Sequence, residues 1–428
     1  MDKRNDIVFW AHGHNETERF IPLSVGLNKR GIRTLIFYQN FDYHDGLSDA
    51  QQKIINKYGL NITDYSGFIN NPLLILVSFF VKLLRKKPKL RYFYNKTIGL
   101  RSKILKRTLT NQNVYKILAS LNPRISFFDT ISLTKYTDYP YGSYFIKNNS
   151  DKLKIKTLSI HHGGTGHLVH DMSTIKKELN YDTIYTPNQY ENDYFRAASV
   201  SANSKIKCLG DPRFDNNWKK EIKDLLSPEV KKLFNRLAIK NKSKFLYLCP
   251  NLEHIGEEDA KYKNIGDVIR LSKTLNNIFL LIKPHPRYRN EHKIRKLTQK
   301  NNFKDFFILP DDPLVCYLPH IDYLISLTSS ALHDALPDDF KKIIIYDNFS
   351  ETAGITNIFK DNFNYFNEYS KLLNFFIGKS NNLTANPKQI NFDIMTFCEK
   401  WVGADKSTNA IIDRICNDIC KEELERKG

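Results

Sequence analysis

A short cationic turn is the first segment of this chain that could do chemistry. Lys283, His285 and Arg287 alternate with two prolines, directly after the apolar run 278–282. Proline fixes its own backbone angle and keeps the preceding residue extended, so the spacing predicts a stiff, extended turn. Such a turn would hold two permanent cations and one imidazole at the end of a buried strand, where they can contact a phosphate.

A hydroxyl-rich segment follows a second apolar run. Thr328, Ser329 and Ser330 come after the run 321–327 and before the helix-like segment 331–336. Hydroxyls and free backbone N–H groups at a helix start bind anions. Because ligands of open α/β sheets lie at the carboxyl ends of strands, the two segments together predict a clamp for a phosphate or diphosphate.

A run of histidines and glycines follows the predicted strand 155–160. His161 and His162 come first, three glycines follow within a few residues, and His167 and His170 lie close by. Glycines allow a ligand to approach the backbone, and an imidazole with a pKa near 6.5 can act as a general base. The spacing fits no standard zinc pattern and no cysteine is near, so we expect no metal site.

Two carboxylates are further candidates for catalysis. Asp129 ends a predicted strand at 124–129. Glu16 lies in the segment after the first predicted strand, 7–10, in what we expect to be a loop that also holds His12 and His14. A carboxylate at the end of a strand can also accept a proton, so either residue is an alternative base.

The motifs resemble those of a known group of enzymes. Lys-Pro-His-Pro, followed by Ser-Ser-Ala-Leu-x-Asp-Ala-Leu, is similar to the donor half of GT-B transferases that build bacterial surface polymers. The nearest sets are the CDP-glycerol glycerophosphotransferases of teichoic acid and capsule synthesis, and the sialyl- and Kdo-transferases that use CMP-sugars. The resemblance implies that the histidine and the serine pair hold the phosphate side of a cytidine nucleotide. The donor-binding residues would then be Lys283, His285, Arg287, Thr328, Ser329 and Ser330.

The resemblance also implies a catalytic base. CDP-glycerol polymerases carry a His-Gly-Thr at a strand end, and its histidine is the presumed base for the acceptor hydroxyl. Here His162 precedes a glycine in the same way, but the extra Gly164 separates it from Thr165, which leaves His161 as a rival. A carboxylate base, Asp129 or Glu16, would instead resemble sialyltransferase-like enzymes.

Length and periodicity predict two α/β domains. The chain has 428 residues, more than a single core usually holds, and its strands alternate with helical patterns. We predict Rossmann-like domains at 1–235 and 240–400, with a C-terminal helix in 401–428. The resemblance implies that the domains face a cleft in the GT-B manner and that the last helix crosses back. Within that helix Ile411, Ile412, Ile415, Cys416 and Ile419 form a packing stripe.

The formal net charge of +19 predicts an anionic partner. Residues 72–81 are mostly apolar, and residues 82–107 contain eleven basic and no acidic side chains, with Tyr92, Phe93 and Tyr94 among them. This composition predicts an interfacial segment on the anionic inner surface of a cell membrane. RNA binding and a pair of packed helices are the alternatives, but no nucleic-acid-binding motif accompanies the charge.

These patterns and the resemblance together imply a cytoplasmic transferase that is peripheral on the inner face of the membrane. It would move a cytidine-nucleotide-activated polyol phosphate or sugar to a hydroxyl of a capsule- or teichoic-type surface glycan or lipid-linked acceptor. A CMP-sugar glycosyltransferase and a nucleotide-sugar epimerase remain alternatives. We expect no resident cofactor, no signal peptide and no membrane-spanning helix, and six scattered cysteines suit a reducing compartment. The oligomeric state is left open.

Overall fold

The structure is a computed structural model that describes residues 5–39, 47–85, 90–129, 141–160, 181–197, 204–237, 239, 241–250, 258–285, 291–327, 331–335, 342–348, 363–380 and 407–425. These residues form two compact units. The first contains the described residues up to Trp218 together with 407–425, and the second contains those from Lys219 to 380.

The first unit is built on one parallel sheet. Its strands are β1 (Ile7–Ala11), β2 (Thr34–Tyr38), β3 (Ile62–Asp64), β4 (Ile125–Asp129), β5 (Lys156–Ile160), β6 (Thr183–Thr186) and β7 (Lys205–Cys208). They lie in the order β3-β2-β1-β4-β5-β6-β7, and all neighbours are parallel. β1, β2 and β4 are buried along their whole length, which explains why they are mostly apolar on both faces. The order reverses between β1 and β4, where such sheets bind ligands.

The helices of this unit connect successive strands. They are α1 (His14–Lys29), α2 (Asp49–Tyr58), α3 (Pro72–Arg85), α4 (Arg91–Thr108), α5 (Asn111–Leu121), α6 (Tyr141–Lys152), α7 (Gln189–Ala197) and the start of α8 (Asn216–Leu237). α1 begins at His14, within the segment that the sequence predicted to be a loop. Glu16 therefore lies in a helical turn and not in a loop, because extended Gly13 caps the helix and the Thr17 amide already donates to the Gly13 carbonyl at 3.2 Å.

A helical hairpin is inserted between β3 and β4. α3 and α4 pack side by side, and the Asn71 amide donates to the Thr108 hydroxyl at 3.2 Å where the two helices begin and end. Leu74 of α3 and Leu105 of α4 are buried in the core that also contains Phe128 of β4. The inner face of the hairpin therefore belongs to the sheet's core, and α5 alone completes the crossover to β4.

The second unit repeats the same topology. Its strands are β8 (Ser243–Leu248), β9 (Ile278–Lys283), β10 (Phe306–Ile308), β11 (Tyr323–Ser326), β12 (Ile343–Tyr346) and β13 (Asn364–Phe366), in the order β10-β9-β8-β11-β12-β13. All neighbours are parallel, and the order reverses between β8 and β11. Its helices are α9 (Glu258–Thr274), α10 (Glu291–Lys300), α11 (Leu332–Ala335) and α12 (Tyr369–Ser380). Two parallel-sheet, Rossmann-like domains are thus confirmed.

The C-terminal helix, α13 (Ser407–Glu425), packs on α1 of the first unit. A Cβ atom on Gly26 of α1 would lie 2.2 Å from Cδ1 of Ile412, so the two helices approach closely because residue 26 has no side chain. Ion pairs join Arg30 to Asp413 and, at 3.2 Å, Lys156 to Asp418. The isoleucine stripe of α13 is buried, as the sequence predicted.

Candidate functional site

The cationic turn follows β9, at the edge of the second sheet where its strands end, which we call its carboxyl edge. Lys283 is paired with Leu248 of β8, and the Cys249 amide donates to the Lys283 carbonyl at 3.0 Å. His285 comes two residues later and is partly buried. Because β8 is the strand beside the reversal point, the histidine lies near the ligand-binding position of a doubly wound sheet.

The side chain of Lys283 makes a local contact that the sequence did not suggest. Its ammonium group donates to the Asp312 carbonyl at 2.7 Å and lies 3.8 Å from the Asp311 carboxylate. The Tyr317 hydroxyl donates to the Asp312 carboxylate at 2.8 Å, which holds this segment in turn. The Lys283 side chain therefore joins the end of β9 to the segment after β10 and fixes the start of the turn that carries His285.

Two cysteines near this site are not nucleophiles. Cys249 follows β8, and Cys316 is buried with its thiol 3.9 Å from the Ile222 carbonyl. Burial raises the pKa of each thiol to about 12. A thiol with such a pKa stays protonated at neutral pH, so these cysteines contribute packing rather than thiolate chemistry.

A group of polar side chains lies at the carboxyl edge of the first sheet. β1 and β4 pair through Phe9 and Phe127, so Asp129 ends the strand beside β1. Asp129, Glu16 and His12 are all buried. The Glu16 carboxylate folds back over the start of α1, because one of its oxygens lies 3.2 Å from the position of a Cβ atom on Gly13. The structure thus places both predicted carboxylates on buried positions at this edge.

Sequence reasoning missed a third carboxylate at the same edge. Glu191 is buried in the first turn of α7, directly after β6. Its amide donates to the Asn188 side chain at 2.8 Å, and the Asn192 side chain donates to the Thr186 hydroxyl at 3.4 Å. The pattern Asn188-x-x-Glu191, a helix cap with an acidic third residue, is the signal that could have located it.

The segment after β7 is joined by hydrogen bonds to α1 and to the start of α8. Gly210 has a φ of +88°, which favours glycine, and Asp211 accepts a hydrogen bond from Arg19 of α1 at 2.9 Å. Although burial by itself raises the pKa of Asp211, the charges of Arg19 and Arg213 outweigh it and hold that pKa below its usual value. Asp215 then accepts the Trp218 amide at 2.9 Å and caps α8.

The α3–α4 hairpin exposes large apolar side chains on both of its helices. Phe79 and Leu73 are 57% and 53% exposed, and they belong to a set of large exposed side chains on these two helices. The set is Leu73, Ile75, Leu76, Phe79, Phe80, Leu83, Phe93 and Leu100. Among the described side chains of the same hairpin, Lys82, Lys96, Lys103, Lys106 and Arg107 are exposed. No helix in the described ranges is both long and apolar enough to cross a bilayer.

Several predicted site residues lie outside the described residues. They are His161, His162, Arg287, Thr328, Ser329 and Ser330. In the part of the chain that the structure covers, no three His, Cys, Asp or Glu side chains are arranged to hold a metal ion.

Comparison with protein families supports the resemblance noted in the motifs. The model of the family described as CDP-glycerol:poly(glycerophosphate) glycerophosphotransferase matches residues 149–334, which include β9, His285 and β11. The resemblance to surface-polymer transferases is therefore confirmed, and the chain is a transferase. The chain matches no protein with a curated description.

Solved structures share the fold over nearly the whole chain. UDP-GlcNAc 2-epimerase from Neisseria meningitidis, bound to UDP-GlcNAc, is 11% identical with a TM-score of 0.58, covering 96% of this chain and 99% of the epimerase. The same enzyme from Methanocaldococcus jannaschii is 12% identical with a TM-score of 0.58, covering 97% and 99%. A glycosyltransferase from Rickettsia africae is 13% identical with a TM-score of 0.53, covering 99% of both chains. These similarities establish the GT-B fold alone.

Proposed function

We propose that this GT-B transferase moves a cytidine-nucleotide-activated group, a polyol phosphate or a sugar, to a hydroxyl of a surface glycan or lipid-linked acceptor. The observation that supports this most is the family match over residues 149–334, which includes the cationic turn and the end of β11. Cytidine is the nucleoside named in the description of that family. A CMP-sugar glycosyltransferase is the closest alternative, because it requires the same leaving nucleotide.

The donor phosphates would be held by the second unit. His285 and Arg287 would contact them from the turn after β9, and Thr328, Ser329 and Ser330 from the segment after β11. In the structure Lys283 is held by the 311–312 segment, and its charge still lies at the start of this turn. Cations and hydroxyls around the leaving nucleotide stabilise the negative charge that develops as its bond to the transferred group breaks.

The acceptor hydroxyl would lose its proton to a base on the first unit. The hydroxyl oxygen forms the new bond to the transferred group, its proton passes to the base, and the nucleotide leaves with the bonding electrons. We propose His162 as that base, with Asp129 and Glu16 as the alternatives that the buried positions support. These side chains can accept a hydrogen bond from the hydroxyl group of a neutral acceptor substrate.

We also propose that the α3–α4 hairpin binds an anionic membrane surface. The exposed apolar side chains form one face, and exposed lysines and an arginine accompany them without any acidic residue between 82 and 107. An apolar face that enters the headgroup region and basic side chains that contact anionic lipids together describe an interfacial helix pair. Such binding would bring the enzyme to a membrane-resident acceptor.

A nucleotide-sugar epimerase shares the fold and is the second candidate, since two of the structural neighbours described above are epimerases. The two functions differ in their products. A transferase releases CMP from CDP-glycerol, CDP-ribitol or a CMP-sugar only when an acceptor is present, whereas an epimerase converts free UDP-GlcNAc without any acceptor. Acceptor-dependent CMP release from one of these donors supports the proposal. UDP-GlcNAc epimerisation without release of any cytidine nucleotide contradicts it.

A further inference from the structure

A network of hydrogen bonds joins α9 to the segment after β12, at the carboxyl edge of the second sheet. The Asn264 amide nitrogen donates to the Tyr346 carbonyl at 2.9 Å and to the side-chain oxygen of Asn348 at 3.1 Å. Its amide oxygen accepts the Tyr247 hydroxyl at 2.6 Å. One side chain therefore binds residues of β8 and β12 together with the first residues beyond β12.

Asp267, one helical turn later on α9, completes the network. Its carboxylate accepts the Tyr346 hydroxyl at 2.6 Å and the Asn348 amide nitrogen at 3.0 Å through one oxygen. The other oxygen accepts Arg270 at 2.9 Å, and the Arg270 guanidinium lies 3.6 Å from the centre of the Tyr369 ring. Both polar ends of the Asn348 side chain are thus held, which fixes its orientation.

The network is buried among apolar side chains of the second unit. Asn264, Tyr247 and Tyr346 are buried beside Ile265 and Val268, where apolar side chains would pack without desolvating polar groups. Burial raises the pKa of both tyrosines, so their hydroxyls stay protonated donors. A fully satisfied buried network holds the backbone around it in one arrangement.

We infer that Asn264, Asp267 and Asn348 are positioning residues that hold the 346–348 segment against the nucleoside part of the donor. The inference rests on the proposed function, which assigns the donor phosphates to the ends of β9 and β11. β12 is the neighbour of β11, and neighbouring strands lie about 4.8 Å apart. A nucleoside attached to those phosphates reaches the end of β12 within one or two strand spacings.

The contacts of Asp347 favour the same assignment. It is buried between Tyr346 and Asn348, and its amide donates to the Phe366 carbonyl of β13 at 2.8 Å. The segment is therefore fixed from α9 on one side and from β13 on the other. A segment fixed from both sides can hold a nucleoside in one position.

Calorimetric titration of CMP, CDP and inorganic pyrophosphate into the full-length protein tests this inference. Asn348→Ala removes two hydrogen bonds of the network, and Tyr346→Phe removes one while keeping the ring. We expect Asn348→Ala to weaken CMP and CDP binding about tenfold and Tyr346→Phe somewhat less, because the first change removes two of the hydrogen bonds that fix the segment and the second removes one. Pyrophosphate, which has no nucleoside, should bind both variants as it binds the wild type.

Asp322→Ala is the matched control. Asp322 accepts the Lys244 amide at 2.8 Å at the start of β8, the end of the strands opposite to the network. Asp322→Ala should lower the melting temperature, as Asn348→Ala does, without changing CMP affinity.

Equal weakening of CMP and pyrophosphate binding by Asn348→Ala would mean that the network is only structural. Unchanged CMP binding in both network variants, with weaker binding in His285→Ala, would overturn this inference alone. Absence of any cytidine nucleotide binding by the wild type would overturn the proposed function as well.

Discussion

The choice of base is the main question at the scale of single residues. In the sequence His162 comes two residues after β5, Asp129 is the last residue of β4, and Glu16 lies in the first turn of α1, which follows β1. Asp129 and Glu16 are buried, whereas the position of His162 lies outside the described residues. The family resemblance favours the histidine, and burial favours neither carboxylate over the other.

His162→Ala should lower turnover by about 10²- to 10⁴-fold, the usual contribution of a general base. Donor affinity should stay near that of the wild type, because the proposed donor contacts belong to the second unit. Steady-state turnover and calorimetric nucleotide binding measure the two effects separately. His161→Ala should have a smaller effect, because it is His162 that precedes the glycine as in the His-Gly-Thr of the resembling enzymes.

Asp129→Asn and Glu16→Gln complete this comparison. If His162→Ala keeps near-full turnover while Asp129→Asn or Glu16→Gln loses it, the base is a carboxylate. That result would favour a CMP-sugar donor over a CDP-polyol, since the resemblance associates a carboxylate base with sialyltransferase-like enzymes.

The Arg19–Asp211 pair leads to a prediction about pH. The pKa of Asp211 is depressed in the folded protein, so its contribution to stability is present above the unfolded value of about 3.9 and is lost as the pH falls through the lower folded value. Asp211→Asn leaves the buried Arg19 without its carboxylate, which typically costs about 3–5 kcal/mol. Thermal unfolding should show this loss at pH 7 and a smaller difference from the wild type below about pH 4.

Asp413→Asn is the control for that experiment. Asp413 pairs with Arg30 on the surface, where both side chains are well exposed. Exposed pairs contribute little, so its effect on the melting temperature should be small at every pH. A loss as large as that of Asp211→Asn, or a wild-type stability that is flat down to pH 3, would contradict the assignment.

At the scale of elements, the α3–α4 hairpin has two distinct faces. Its inner face shares the core of the first sheet, and its outer face exposes phenylalanine and leucine side chains. Phe79→Ser with Phe80→Ser should therefore reduce binding to phosphatidylglycerol vesicles in a flotation assay without lowering the melting temperature. Changing Lys86, Lys87, Lys89 and Arg91 to Gln should weaken the same binding and reduce its salt dependence.

Ile377→Ser tests whether any exposed apolar residue would have this effect. Ile377 is on α12 and is also exposed, but it lies in the other unit. Vesicle binding should be unaffected by it. If the wild-type protein does not bind vesicles but binds single-stranded RNA in a filter assay, the result would contradict the membrane proposal and favour the nucleic-acid alternative.

The contact between α1 and α13 provides a test of packing. Gly26→Ala should destabilise the protein by about 1–3 kcal/mol, since the added methyl group would overlap the buried Ile412 side chain. Alanine is a better helix former than glycine, so helix propensity alone would make Gly26→Ala stabilising. A loss of stability would therefore indicate the clash with Ile412. Combining Gly26→Ala with Ile412→Val tests the coupling in a double-mutant cycle of chemical denaturation. Additive effects, or stabilisation by Gly26→Ala alone, would contradict the close approach.

The sequence predicted the strands and helices better than it predicted where they begin and which side chains they bring into contact. Buried parallel strands such as β1 and β9 are short apolar runs, so the sequence located them directly. The start of α1 was wrong because polar residues in its first turn resemble a loop when the cap is a glycine. The contact of Lys283 with Asp312 and the Asn264–Asp267 network were missed, because their partners are distant in the sequence. Local patterns carry no information about such pairs.

At the scale of the whole molecule, two units carry the same arrangement of parallel strands. Each sheet reverses its strand order beside its first strand, β1 in one and β8 in the other. The family match over residues 149–334 supports transfer of a nucleotide-activated group, and the structural neighbours support the duplicated Rossmann-like fold. The formal net charge of +19 is of the sign expected for the phosphorylated donor and the anionic membrane surface that we propose.

A thermal-shift comparison of CMP, CDP, UDP, GDP and ADP tests the central claim most directly. A ligand at 100 times its dissociation constant stabilises the folded protein by about 2.7 kcal/mol, which is readily measured as a rise in melting temperature. We predict that CMP and CDP raise the melting temperature of the wild type most, and that His285→Ala reduces this rise without changing the melting temperature of the free protein. A larger rise with UDP, GDP or ADP, or an equal rise with all five nucleotides, would contradict the claim that the donor is a cytidine nucleotide.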